Sequence, residues 1–337
     1  MKGLGMLTII WGHIMLSGIT HAVVYSFHIP LFFFISGMMF NINRYPSIQS
    51  FINRRIKSLL IPYCTFSLIS WGIWAVYQFF FLKNNGFSSF FFPLFQTFIA
   101  QGSDGFLVHN VPLWFVSCLF VVEILYFIIA NQSVINKIII CFLSATLGFF
   151  MTKENPFFDF KLLPWSIEVA MVALPFYTLG NELTSRFSKS DMAHTAQKRV
   201  FLYVMVVCCL FTLIGSYMNG SVSMGSDRLN NIFIFYITAL AGITSVFIIC
   251  CRLEKQISNP IIAYVQWLGE NSFYAMVIHN PIKGIVIVIL YQLLGQQYNI
   301  SDSYVYALIT FLITTFLTSL CIKYINNVKE KFNISFF

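Results

Sequence analysis

The chain has 337 residues, of which 58% are hydrophobic and only 9% charged, with a formal net charge of +8. Soluble globular domains carry roughly 25% charged residues, so a soluble enzyme is excluded. A nucleic-acid-binding module is excluded as well, because the 20 basic residues lie between apolar segments and form no patch. The 39 Phe residues suit helices that face acyl chains. The chain therefore reads as all-α, a polytopic membrane helix bundle, with a single integral-membrane domain over 1–337 and no soluble domain.

In chain order, Lys2 and the apolar run behind it have the outline of a secretory leader. A second apolar segment follows almost at once and His13 interrupts the first, so this stretch reads as a retained first span. A helix crosses the hydrocarbon core with about 20 mostly apolar residues. The expected spans are 3–20, 24–42, 59–82, 111–130, 134–151, 163–182, 200–218, 231–251, 268–294 and 303–325, about ten in all. The apolar segment 87–100 is too short and is expected at the interface or re-entering. No internal repeat is visible.

The basic residues orient this count. With the N-terminus inside, Lys2, Arg44, Arg54, Arg55, Lys57, Lys137, Arg186, Lys189, Lys198, Arg199, Arg252, Lys255, Lys323, Lys329 and Lys331 fall on the cytoplasmic side. Lys83, Lys153, Lys161 and Arg228 fall outside, and Lys283 lies within the ninth span. Both termini are then cytoplasmic, as the positive-inside rule requires. The eight Cys residues have neither metal spacing nor a disulfide framework. Most sit within expected helices, where Cys behaves as a small apolar residue.

Polar groups inside apolar helices mark candidate sites, since an ionisable residue at membrane depth costs roughly 2.5–3.5 kcal/mol or more. His13 lies eleven residues after Lys2, about 16 Å along a helix and on nearly the same face. This places Lys2 at the cytoplasmic mouth and His13 near mid-membrane, where a neutral imidazole can serve as general base. Arg54, Arg55 and Lys57 stand at the start of the third span, where Arg forks and a Lys point charge suit phosphate oxygens; taken alone, plain topological anchoring is the better account of them. Glu123 and Glu168 occupy otherwise apolar helices; each either calls for a partner, a His being a natural one, or is a protonated acid that holds helices together. His279 is a third intramembrane histidine, after His13 and His28. His21 and His109 in outer loops, and His194 in a cytoplasmic one, are expected to be ordinary surface residues. Gly-rich phosphate loops, zinc-protease pairs and nucleophile elbows are absent.

Taken together, Lys2-Gly3-Leu4-Gly5-Met6 running into Gly12-His13, and Phe27-His28-Ile29-Pro30-Leu31-Phe32-Phe33-Phe34-Ile35-Ser36-Gly37, resemble the opening of the membrane-bound acyltransferase 3 family. Arg55 to Pro62, Leu113-Trp114-Phe115 with Glu123, and Gly269-Glu270-Asn271-Ser272 with His279 follow its later landmarks in order. The resemblance runs over about residues 2–325 and is nearest to the fucose 4-O-acetylase-like branch of bacterial acetyltransferases. It implies a multi-pass protein of the bacterial cytoplasmic (inner) membrane, in contact with membrane lipid. Such an enzyme moves an acetyl group from cytoplasmic acetyl-CoA to a hydroxyl of a surface polysaccharide or its lipid-linked sugar precursor, with no metal. By the same resemblance, His13 is the catalytic histidine, either as general base on the acceptor hydroxyl or as transient carrier of the acetyl group; from its position alone, Glu123 is its orienting or charge-balancing partner. Lys2, Arg54, Arg55 and Lys57 bind the donor, although the family's Arg-x-x-Arg arrangement is missing here. His28, Ser36, Trp114, Asn271 and His279 line the acceptor side. The rival expectation is a transporter or flippase for a polysaccharide or lipid-linked sugar.

Overall fold

The structure, a computed structural model, describes residues 1–80, 86–102, 105–152, 163–196, 198–254, 258–295 and 303–332. Lys83, Lys153, Lys161 and Lys255 of the charge count lie outside the described residues. Among those described there are helices and no strand. In chain order the helices are α1 (Lys2–Ile14), α2 (Gly18–Met39), α3 (Ile48–Arg55), α4 (Ile61–Phe80), α5 (Phe87–Ile99), α6 (Trp114–Ile129), α7 (Val134–Phe150), α8 (Ile167–Arg186), α9 (Lys189–Ala196), α10 (Arg199–Asn219), α11 (Ile232–Leu253), α12 (Pro260–Glu270), α13 (Ser272–Leu294) and α14 (Tyr304–Phe332). A π-helical turn, Ile56–Leu60, joins α3 to α4 without a break.

Local chemistry sets many of the starts. Side-chain oxygens of Ser47, Ser133, Asn231 and Asn259 accept from backbone N–H groups in the first turns of α3, α7, α11 and α12. Each satisfies a donor that the helix itself leaves orphaned. Among the described residues, 7 helical stretches are long and apolar enough to cross a membrane: 18–39, 48–80, 111–129, 199–219, 232–253, 272–294 and 304–331. The chain is thus a multi-pass membrane protein. The remaining expected spans are helical but do not reach that standard: α1 has 13 residues, α7 has 17, and α8 carries Glu168, Glu182 and Arg186.

Two boundaries differ from expectation. The first helix ends at Ile14 instead of near residue 20, because Met15 turns extended and Gly18 adopts a positive φ of 83°. His13 therefore sits in the last turn of α1 and not at its middle. The ninth expected span, 268–294, is two helices. The Asn271 side chain donates to the Trp267 carbonyl at 2.9 Å, and such local bonding competes with helix continuation. The segment 87–100 is the 13-residue helix α5, whose chain turns at Ala100 with φ 54°.

Two compact units interleave along the chain, so neither is a contiguous piece. The first comprises residues 1–39, 179–223 and 229–328. Within it α1 is sheathed by α2, α12 and α13. A Cβ on Gly3 would overlap the Val265 carbonyl of α12, and one on Gly12 would come within 3.0 Å of the Tyr25 ring of α2. Small residues at such crossings are what let membrane helices approach closely. Facing outward, α10 exposes Leu202, Val206, Leu210, Phe211 and Leu213, a lipid-type surface. The second unit comprises residues 40–178, 224–228 and 329–337. Its core is aromatic: Phe51 stacks on Phe127 at 4.6 Å, and Tyr126 lies 5.0 Å from Tyr177 and 5.2 Å from Phe40.

Candidate functional site

In the first unit, α1, α2 and α13 bring polar rings together inside apolar surroundings. The His13 and His279 ring centroids are 5.3 Å apart, and His13 lies 6.4 Å from Tyr25. Tyr25 in turn lies 4.7 Å from His28 and 3.9 Å from His21. On α2, His21, Tyr25 and His28 are spaced by four and three residues, the spacing that puts side chains on one helix face. His28 and His279 are buried, at 3% and 0% exposure, while His13 is half-buried.

The two buried histidines share a geometry. His28 Nδ1 contacts the Val24 carbonyl at 2.7 Å, and His279 Nδ1 contacts the Ala275 carbonyl at 2.9 Å. A carbonyl oxygen only accepts, so Nδ1 carries the hydrogen in both, and Nε2 of the neutral ring presents a lone pair. Each histidine is followed two residues later by a proline, Pro30 and Pro281. Proline cannot donate the backbone bond of a regular helix. Lys283, one turn past His279, donates from Nζ to the His13 carbonyl oxygen at 3.2 Å. The last carbonyls of a helix lack intrahelical partners, and an ammonium there also complements the helix dipole.

The other expected site residues of this unit stand as follows. Lys2, half-buried at the start of α1, passes close to Gly269 of α12, and Ser36 is half-buried on α2. Asn271 spends its amide on structure: besides its bond to Trp267, its Oδ1 accepts from Asn326 of α14 at 3.0 Å.

In the second unit, Arg55 Nε lies 2.8 Å from Glu123 Oε2. Glu123 is 3% exposed. Its partner is a guanidinium, where a histidine was expected. The physical reason is proximity: Arg55 ends α3 against α6, and its guanidinium also lies over the Phe51 and Tyr45 rings at 5.6 and 6.0 Å. Arg54 lies over Tyr45 at 5.7 Å and is exposed, as is Lys57 in the π-turn. Trp114 is 5% exposed, wedged where a Cβ on Gly102 or Gly225 would come within 2.7–2.8 Å of its indole. The site residues expected from sequence thus divide, with Lys2, His13, His28, Ser36, Asn271 and His279 in the first unit and Arg54, Arg55, Lys57, Trp114 and Glu123 in the second.

Two histidines expected at the surface are buried. His21 is 8% exposed within α2, and Ser221 Oγ lies 3.3 Å from its Nδ1. His109 is 5% exposed, its Nε2 2.9 Å from Ser67 Oγ, which lies 2.8 Å from Thr97 Oγ1. Burial pushes the His109 pKa down to about 4. Their flanking residues read as loops; His21 instead lies in the first turns of α2, and the His109 loop folds inward with no sequence periodicity to betray it. His194 is exposed, as expected. Glu168, 1% exposed at the start of α8, is also buried as expected. Sequence reasoning had left Lys283 without a role and missed Tyr25; the one available signal was a cation four residues after His279. Among the described residues, no group of three or more His, Cys, Asp or Glu side chains could hold a metal ion.

The family model described as an acyltransferase domain (acyltransferase 3) matches residues 1–324. No curated protein and no solved structure gives a match.

Proposed function

From the premise that this chain belongs to the acyltransferase 3 family and is a membrane acyltransferase, we propose that it transfers acetyl from cytoplasmic acetyl-CoA to a hydroxyl of a surface polysaccharide or its lipid-linked precursor. Its site of action is then the bacterial inner membrane. The observation that carries this reading is the convergence of His13, His28, His279 and Lys283 from three helices in one otherwise apolar bundle.

In this reaction His13 is the general base. A neutral ring nitrogen takes the proton of the acceptor hydroxyl as its oxygen attacks the thioester carbonyl. When the tetrahedral intermediate collapses, the carbon–sulfur bond breaks and the imidazolium returns the proton to the departing thiolate. No net proton is consumed. His13 is the one of the three clustered histidines that is only half-buried, which suits a group that must meet substrate. His28 and Ser36 lie along α2 as acceptor-side groups, with Trp114 and Asn271 shaping their own helices. Exposed Arg54 and Lys57 are the cations that meet the coenzyme phosphates. Arg55 is the anchored member, held by Glu123, so Glu123 acts through the cation cluster.

The test is replacement of His13 by Ala in vesicles supplied with acetyl-CoA and a lipid-linked glycan fraction. Loss of a general base typically slows a reaction about 10²–10⁴-fold, while removing a polar group from a span leaves insertion intact. A variant that keeps more than roughly a tenth of wild-type turnover removes His13 from the mechanism. A wild-type chain that leaves the thioester intact while moving the glycan is a transporter.

A further inference from the structure

We propose that His279 is the positioning residue for His13: its Nε2 accepts a hydrogen bond from one ring nitrogen of His13 and leaves the other nitrogen as the base. The inference rests on the acyl-transfer reading above and specifies what sets the tautomer of its base.

Three observations converge on it. The Nδ1 hydrogen of His279 is committed to the Ala275 carbonyl, so Nε2 of the neutral ring is left as a lone pair. His279 is 0% exposed and its Nε2 has no hydrogen-bond partner. A buried acceptor left unpaired is costly, and in native proteins such atoms are few. The His13 ring lies beside it, at 5.3 Å between centroids. A ring nitrogen sits about 1 Å from its own centroid, so two nitrogens on the line between these rings are about 3 Å apart, hydrogen-bond distance. The torsion that brings an N–H of His13 onto that line is the ring's χ2, which is broad and soft.

Lys283 shows that α13 is built to hold this residue. It lies four positions after His279, on the same helix face, and takes the His13 carbonyl while His279 meets the ring. One face of α13 thus grips His13 by backbone and by side chain. A hydrogen bond into the Nε2 lone pair also steadies the positive charge that His13 acquires when it takes the hydroxyl proton.

The competing role for His279 is to bind the acceptor hydroxyl directly, and kinetics separate the two. The full chain is assayed for thiol release from acetyl-CoA, with a lipid-linked glycan fraction from the source cells' membranes varied as acceptor. For His279→Leu, loss of orientation lowers kcat by roughly 10²-fold or more, as in other triads that lose their orienting group, with the KM values of donor and acceptor within about threefold of wild type. His279→Gln, whose amide oxygen can accept in the same direction, recovers part of kcat. A raised acceptor KM with kcat preserved overturns the proposal. Independently of turnover, ¹⁵N-histidine NMR of the full chain in lipid nanodiscs reports an N–H···N coupling between two imidazoles. That coupling should vanish in both His13→Ala and His279→Leu, and its absence from the wild type also overturns the proposal. If the wild type releases no thiol, the acyl-transfer reading fails, and the NMR result still decides whether His279 orients His13.

Discussion

Severing the contact between Arg55 and Glu123 is the sharpest perturbation of the second unit. The two groups are 2.8 Å apart, with side-chain exposures of 22% and 4%. Breaking a buried ion pair by removing one partner costs roughly 3–5 kcal/mol, whereas an exposed pair is worth about 0–1. The asymmetry in burial divides these limits between the partners. Glu123→Gln strands a guanidinium that still reaches water and lies over the Phe51 and Tyr45 rings, so about 2–3 kcal/mol is expected. Arg55→Gln strands the deeper carboxylate, and about 3–5 kcal/mol is expected. The double replacement should cost less than the sum, with a coupling of about 2 kcal/mol. Reversible unfolding in mixed micelles measures all three, with apparent KM for acetyl-CoA followed in parallel. Single changes that add to within about 0.5 kcal/mol would show that the two groups do not act as a pair. A Glu123→Gln enzyme whose donor KM is unchanged while kcat falls would place Glu123 with the base and not with the cations.

Other outcomes are expected elsewhere. Arg54→Lys keeps the charge but not the bidentate fork, so KM for acetyl-CoA should rise about tenfold, and an unchanged value would reduce Arg54 to a topology signal. Because burial lowers His109 to about 4 from about 6.5, the unfolded chain binds more protons than the folded one between these values. Stability is then full above pH 6.5 and falls as pH drops toward 4, by up to about 3 kcal/mol; His109→Gln should flatten that limb in an acid melt. Gly3→Val puts a side chain where the Val265 carbonyl lies, so melting of the purified chain should drop sharply or the protein fail to accumulate, and wild-type behaviour would refute the close α1–α12 crossing. Cysteines at Arg186 and Arg228, both exposed and separated by α10, should label from opposite faces of the membrane; labelling from one face would remove α10 from the spans.

Helices and family were legible because both are written in local runs. Apolar stretches of membrane length announce themselves, and the ordered landmarks from Gly12-His13 to His279 need no contact map. What the sequence hid were pairings across distance. Glu123 in an apolar helix calls for a partner, but 68 positions separate it from Arg55, and nothing local favours a guanidinium over an imidazole. His21 and His109 were misread because polar neighbours suggested exposed loops. His21 instead extends the buried face of α2, and His109 turns inward to meet Ser67. The early end of α1 follows from a left-handed Gly18, a conformation that glycine permits but does not demand. Lys283 was ambiguous since a cation inside a span can snorkel outward or turn inward; the His13 carbonyl decided it.

The π-turn at Ile56–Leu60 makes the run from Ile48 to Phe80 two helices in different phase. Each α-helical residue rotates the chain by about 100°. The wider turn lets Arg55 aim at Glu123 while Tyr63, Ser67 and Ser70 still meet their own buried neighbours. Deleting one residue here would leave composition almost unchanged, yet it would swing the charged end about 100° relative to the hydroxyl-bearing face. Both could not be seated at once, so length in this turn is under tighter constraint than identity. The 33-residue run is about 50 Å long against a hydrocarbon core of about 30 Å. Its length therefore exceeds one straight crossing, and the π-turn acts as the angular coupling between the Arg55 end and the apolar length of α4.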